Sequence, residues 1–314
     1  MKDKDLSLIM ISAMYENGGN TTHRILDGHP ELMVYPFESQ PGTKFVNDHL
    51  NSLFPLKYRW PVFPLGISAE DAYELIIDEE GKVRSKTPYV SKFRTADFQL
   101  ADKERKKIFV SLVGKKPITT ELLVDSFYRS TFMAWKNYKV TGKEKAYVGY
   151  SPIIGVDAEK IVRDFGKKGF ILHIIRNPWS AYADTKKRPV PLSIHHYMTG
   201  WVLCQQYMSM YQAKFPKNCF IVRYEDILAD RKTALAGLFK AAGIKYSDTM
   251  KYPSWNAEKL TEVYPWGTIR TPTEEVNIAT AKELSKAEIE EIHLRTKLYV
   301  DLFNYKDIYK KISK

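Results

Sequence analysis

The chain has 314 residues, 44% of them hydrophobic and 27% charged, a composition expected of soluble globular proteins and not of collagen-like or disordered chains. At this length folding buries roughly three quarters of the unfolded surface, so a core needs neither disulfide nor metal. Its two cysteines, Cys204 and Cys219, have no CxxC spacing and make neither a disulfide framework nor a Cys-rich zinc site, which points to a reducing, cytoplasmic setting. An excess of 48 Lys and Arg over 37 Asp and Glu gives +11 and a pI near 9.3. Such a balance favours an anionic partner: nucleic acid, a phosphorylated cofactor or an acidic polymer.

In chain order, residues 6–13 form the first apolar run. Lys2 and Lys4 precede it, but Asp3 and Asp5 cancel their charge and no small-x-small site follows, so it reads as a buried strand and not a signal peptide. No run approaches the roughly 18 apolar residues of a membrane span. Further short apolar runs at 32–35, 146–150, 170–175 and 219–222 alternate with helical spacing at 21–26, 157–165 and 194–215, with Asp157 as N-cap of the second of these helices. Residues 232–242 predict a helix stopped by Gly243, and 285–302 another opened by a Ser285/Glu288 capping box. Strands alternating with helices predict an α/β fold, a parallel sheet with helices on both faces. Between the second and third strands lie Pro-rich aromatic segments (54–64) and helical stretches at 101–108 and 120–138. Residues 41–145 therefore read as an inserted helical region, a lid or acceptor-binding part of one domain spanning 1–314.

The first strand runs into Met14-Tyr15-Glu16-Asn17-Gly18-Gly19-Asn20-Thr21-Thr22 and then a helix closed by Asp27-Gly28-His29-Pro30. Glycines let backbone N–H groups converge and the helix start adds positive potential, so Asn17, Gly18, Gly19, Asn20, Thr21 and Thr22 form a candidate anion cradle. Gly-Gly alone fits an ordinary βα turn equally well, and the G-x-x-x-x-G-K-[ST] spacing is absent. Two later phrases add weight: His173-Ile174-Ile175-Arg176-Asn177-Pro178-Trp179-Ser180, and Ile221-Val222-Arg223-Tyr224-Glu225-Asp226-Ile227-Leu228.

Together the three segments resemble the sulfotransferase family, over 6–32 and 147–244, with little similarity between. The resemblance implies a P-loop NTPase-like sulfotransferase architecture and 3′-phosphoadenosine 5′-phosphosulfate (PAPS) as sulfuryl donor, with no metal. It implies that the first loop cradles the 5′-phosphosulfate and that Arg176 meets the 3′-phosphate, with Thr185, the residue after Asp184, as a further candidate for that phosphate. It also implies a base shortly after the His-Pro phrase, where Glu38 stands; a surface-loop carboxylate is the alternative reading of Glu38.

Three positions depart from the family pattern. Glu16 replaces a cation of the loop, Tyr150 replaces a lysine, and Asp184 replaces a serine that helps hold the 3′-phosphate. An active enzyme would need Glu16 turned away, paired with Lys44 or Arg24. Replacement cations are Arg24, Lys44 and the run Lys186, Lys187, Arg188, which reads equally as solvated surface. His195 and His196 point in different directions on a helix, so at most one faces a site. Trp179, Tyr182, Trp201 and Tyr224 could stack on adenine or pack the core, and Arg223, Glu225 and Asp226 are expected to tie the strand end to helices.

The sequence therefore predicts a sulfotransferase acting on a hydroxyl or amine of a carbohydrate, lipid or small metabolite. A P-loop kinase, lacking its lysine, and a non-catalytic anion-binding protein are the alternatives. A nucleic-acid partner is not expected, since no basic helix or aromatic RNA-binding phrase occurs.

Overall fold

A computed structural model describes residues 5–84, 96–263, 267–268 and 273–313. Five parallel strands make the central sheet: β1 (Ser7–Ser12), β2 (Leu32–Val34), β3 (Ala146–Tyr150), β4 (Gly169–Ile175) and β5 (Cys219–Arg223), in the spatial order β2-β3-β1-β4-β5. Each matches an apolar run in the sequence. Such runs are apolar without alternation because both faces are covered. Leu8 and Met10 of β1 enter one cluster while Ile9 and Ile11 enter another on the opposite face.

The helices between and after the strands are α1 (Gly19–Leu26), α2 (Ala69–Leu75), α3 (Glu79–Arg84), α4 (Asp102–Val113), α5 (Thr120–Ala134), α6 (Ala158–Phe165), α7 (Pro178–Lys186), α8 (Ile194–Lys214), α9 (Tyr224–Ala229), α10 (Arg231–Ala242), α11 (Glu274–Ala281), α12 (Lys286–Leu302) and α13 (Lys306–Ile312). Residues of α1 and α10 share the cluster of Ile9 and Ile11, whereas those of α4, α5, α6 and α8 join Leu8 and Met10. A third cluster gathers α7, α8, α12 and α13 around Trp179 and Trp201. Among the described residues no helix is long and apolar enough to cross a membrane.

Caps and breakers act mostly as expected. Ser285 and Glu288 form the reciprocal capping box of α12, and α10 ends at Gly243. Three expectations shift. The helix predicted over 101–108 continues to Val113, because Phe109 and Val113 are buried on its inner face. The one predicted over 120–138 ends at Ala134, where Trp135 turns extended and packs on Phe98 and Trp255. Asp157 stands at the N-cap of α6 but makes no side-chain cap. Its carboxylate instead accepts hydrogen bonds from buried Arg59 at 2.7 and 3.0 Å and from the Trp60 N–H at 2.9 Å. A buried guanidinium needs a paired anion more than a helix start needs a cap. This contact, with Asp48 at 2.7 Å on the same arginine, fastens the Pro-rich part of the inserted region to the sheet's helical layer.

Candidate functional site

In this strand order the connection leaving β1 runs toward β2 while that leaving β4 runs toward β5. Open parallel sheets bind ligands in the crevice outside such a switch point, beyond the carboxyl ends of the strands. The crevice here is bounded by the glycine loop after β1 and by Arg176 directly after β4.

The loop closes as a turn, with the Asn17 N–H donating to the Met14 carbonyl at 2.9 Å. Gly18 adopts φ +86°, a left-handed conformation that starts α1 without a side-chain cap. A Cβ there would stand 2.2 Å from the Tyr224 ring, and one on Gly19 would stand 2.5 Å from the Tyr150 ring, so two tyrosines pack against the two glycines. No backbone carbonyl among the described residues accepts from the N–H groups of Gly18, Gly19, Asn20 or Thr21. These are the orphan donors of a helix start, the geometry suited to an anion.

The predicted side chains do not all serve the loop in the same way. Asn17 is buried and architectural: its amide donates to the Tyr15 carbonyl and the Tyr197 hydroxyl, while its oxygen accepts from the Arg176 N–H and the Trp201 indole. Thr22 donates to the Gly18 carbonyl, and Thr185 to the Ala181 carbonyl, both fully buried. Asn20 and Thr21 are half-buried at the loop rim, and a Thr21 hydrogen bond acts on the Tyr224 hydroxyl.

Arg176 lies on the predicted edge, but its guanidinium is engaged. It donates to the Glu16 carbonyl at 2.9 Å, to Asp184 at 2.8 Å and to Asn277 at 2.7 Å, and stacks over Tyr224. Burial opposes its charge, and the Asp184 carboxylate together with Tyr224 and Glu225 more than offsets this, leaving its pKa above the ordinary value. Of the replacement cations, Arg24 is fully buried, donating to the Tyr35 carbonyl and pairing with Asp27, so it braces β2 and does not face the loop. Lys44 is exposed. Lys186 pairs with Glu288, and Lys187 with Asp184 and Glu283. Arg188 alone of the run reaches the loop, 3.3 Å from the Glu16 carboxylate and over the Tyr15 ring. Glu16 is thus paired with Arg188, not with Lys44 or Arg24, and its own φ of +61° directs its carbonyl to Arg176.

Glu38 follows β2 on the same sheet edge. Ser39 beside it bonds both backbone groups of Tyr150, the Tyr58 hydroxyl donates to the Glu38 carboxylate at 2.8 Å, and its charge acts on Tyr15 and Tyr150. Burial, then Arg188 in opposition and Glu38 in support, pushes the Tyr15 hydroxyl up to about 12, so it is a neutral donor near pH 7.

His195 pairs with Arg295, while His196 lines a cavity of about 420 Å³ that begins at Met14 and Tyr15. Trp179 and Trp201 are core residues, Tyr182 packs on Tyr197, and two of the four aromatics touch the loop, Tyr224 against Gly18 and Trp201 through its indole N–H to Asn17. Glu225 ties elements together as expected, accepting from Asn177, Asn277 and Tyr305. The sequence reading missed Tyr15, Tyr58, Tyr197 and Asn277. Tyr58, Tyr197 and Asn277 reach the site from distant segments, whereas Tyr15 adjoins Glu16 in the loop itself and carried a local signal.

The fold and site define a parallel α/β protein with a helix start at its switch point whose first N–H groups have no backbone partner among the described residues. No family model matches the chain, and no curated protein matches it. Among solved structures it is similar to the sulfotransferase domain from the Synechococcus PCC 7002 olefin synthase, at 14% identity and TM-score 0.48 over 90% of this chain and 95% of that one. It is also similar to the sulfotransferase domain from the curacin biosynthetic pathway, at 12% identity and TM-score 0.47, covering 94% and 98%. Sulfotransferase STF9 from Mycobacterium avium gives 10% identity and TM-score 0.40, covering 95% and 76%.

Proposed function

We propose that the chain is a sulfotransferase that transfers a sulfuryl group from PAPS to a hydroxyl or amine of a carbohydrate, lipid or small metabolite, in a reducing compartment such as the cytoplasm. The observation that carries this reading is the set of orphan N–H groups from Gly18 to Thr21 at the switch point, with Glu16 drawn aside by Arg188. Their fit to a 5′-phosphosulfate is good: the donors are neutral, convergent and free of an acidic residue in the first turn of α1. Cys204 and Cys219 are buried and unpaired, which suits that compartment.

PAPS, when bound, supplies the sulfuryl group: sulfur bonds to the acceptor oxygen or nitrogen as its bond to the 5′-phosphate oxygen breaks, leaving PAP. Within this reading Gly18 to Thr21 hold the 5′-anion and offer hydrogen bonds to charge growing on it. Arg176 fixes the loop through the Glu16 carbonyl and contributes positive potential. Glu38 takes the acceptor proton, and the Tyr58 hydrogen bond orients its carboxylate.

A second reading, an anion-binding protein without turnover, is favoured by one observation, the occupation of Arg176 by Asp184. Thermal shift with PAP and with ATP-Mg tests both. Stabilisation of about 2.7 kcal/mol at 100 times Kd is expected for PAP and little for ATP-Mg. A tighter response to ATP-Mg would favour a kinase, and sulfate transfer to no acceptor despite PAP binding would favour the non-catalytic reading.

A further inference from the structure

The cavity of about 420 Å³ begins where β1 gives way to the glycine loop and runs between the inserted region and α8. Its apolar wall is Met14, Leu53, Phe54, Pro55, Leu56 and Leu192. Among the described residues no carboxylate, ammonium or guanidinium lines it; the ionisable groups there are Tyr15, held neutral, and His196. The remaining polar side chains are already used: the Asn51 amide donates to the Val46 carbonyl at 2.7 Å and its oxygen meets Arg59, while Ser52 turns to the His49 carbonyl.

We propose that this cavity binds the acceptor, and that the acceptor is an alcohol or phenol with an apolar skeleton and one hydroxyl directed to the Tyr15 end. The assignment rests on the sulfotransferase reading for what happens at that hydroxyl, but not for binding. A sugar presents a hydroxyl on nearly every carbon, and each one stripped of water without a partner opposes binding. An anionic polymer would need cations that this wall lacks, whereas an apolar skeleton needs only the contact area that Leu53, Phe54, Leu56 and Leu192 offer. His196 at the rim and Tyr15 at the inner end leave hydrogen-bonding capacity for a single hydroxyl.

The test measures binding of 2-naphthol and of glucose to the full chain by calorimetry, with and without PAP. Leu192→Asp and Leu53→Asp are compared with wild type, and near-ultraviolet circular dichroism reports folding. The two substitutions lie on different segments and both positions are half-buried, so loss of fold in one leaves the other informative. Expected are binding of 2-naphthol but not of glucose at equal concentration, at least tenfold weaker 2-naphthol binding in each folded variant, and PAP affinity within twofold of wild type. Glucose binding as well as 2-naphthol, or 2-naphthol binding unchanged in a folded variant, would overturn the proposal. If PAP binds and 2-naphthol does not, this inference fails alone. If 2-naphthol binds in the cavity and PAP does not bind at all, the donor assignment fails and the cavity's specificity stands.

Discussion

Arg176 and Asp184 are joined by a 2.8 Å ion pair across the turn from β4 into α7. In the proposed reading the 3′-phosphate of the donor meets Arg176, and there the arginine already holds an internal carboxylate. A ligand phosphate must displace it or share the guanidinium. Asp184→Asn is therefore expected to raise affinity for PAP about tenfold while leaving adenosine 5′-phosphate nearly unchanged, since only PAP carries the 3′-group. Parallel calorimetric titrations of the two nucleotides check it; equal gains for both would place the 3′-phosphate elsewhere.

Arg176 is also a brace, holding Glu16 and Asn277 from two other segments. Arg176→Ala should weaken PAP more than adenosine 5′-phosphate and, in addition, lower unfolding free energy by about 3 kcal/mol, the order expected when hydrogen bonds from a buried charged donor are removed. Urea denaturation reads the second effect, and a variant of unchanged midpoint would argue against the bracing role.

Glu38→Gln should reduce turnover by roughly 10² to 10⁴ with PAP affinity unchanged, because in the proposed mechanism the group acts on the acceptor proton and not on the donor. Tyr58→Phe, which removes the hydroxyl bonded to Glu38, should give a smaller loss of the same kind. Normal turnover in the glutamine variant would transfer the role to His196, which lines the cavity.

Glu16→Lys should change PAP affinity by less than threefold, because the Glu16 side chain is turned to Arg188 at the loop rim, where both side chains are partly exposed and water screens the change in charge. A gain of tenfold or more in a binding titration would show that Glu16 opposes the ligand directly.

His173 sits fully buried in β4, between Ser12 and Gln205, and burial pushes its pKa down to about 4. The unfolded chain takes up this proton near pH 6.5 but the folded one only near 4. The stabilisation is therefore complete above pH 6.5 and lost progressively from 6.5 to 4, amounting to on the order of 3 kcal/mol. Urea midpoints at pH 7 and pH 5 should differ by more in wild type than in His173→Gln; an equal difference would assign the acid sensitivity to other groups.

Much of the scaffold was legible in one dimension. The five apolar runs, the Ser285/Glu288 box and the glycine loop are local signals, since hydrophobic burial on both faces and backbone capping depend on neighbours a few residues away. Their order along the chain implied a parallel sheet, and a parallel sheet places its loops on one edge, which is why Gly18, Arg176 and Glu38 could be assigned to the same edge. Partner choice was not legible. Whether Glu16 meets Lys44, Arg24 or Arg188, whether Asp157 caps a helix or neutralises Arg59, and whether Arg176 is open or held by Asp184 all depend on contacts between segments far apart in sequence. Charged side chains find such partners through burial and geometry, because desolvation makes a buried charge accept whichever opposite charge the packing brings within about 3 Å. The cavity beside Tyr15 belongs to the same class: its wall joins residues 14–15, 51–56 and 192–200, and no single one of these segments records that the others will face it.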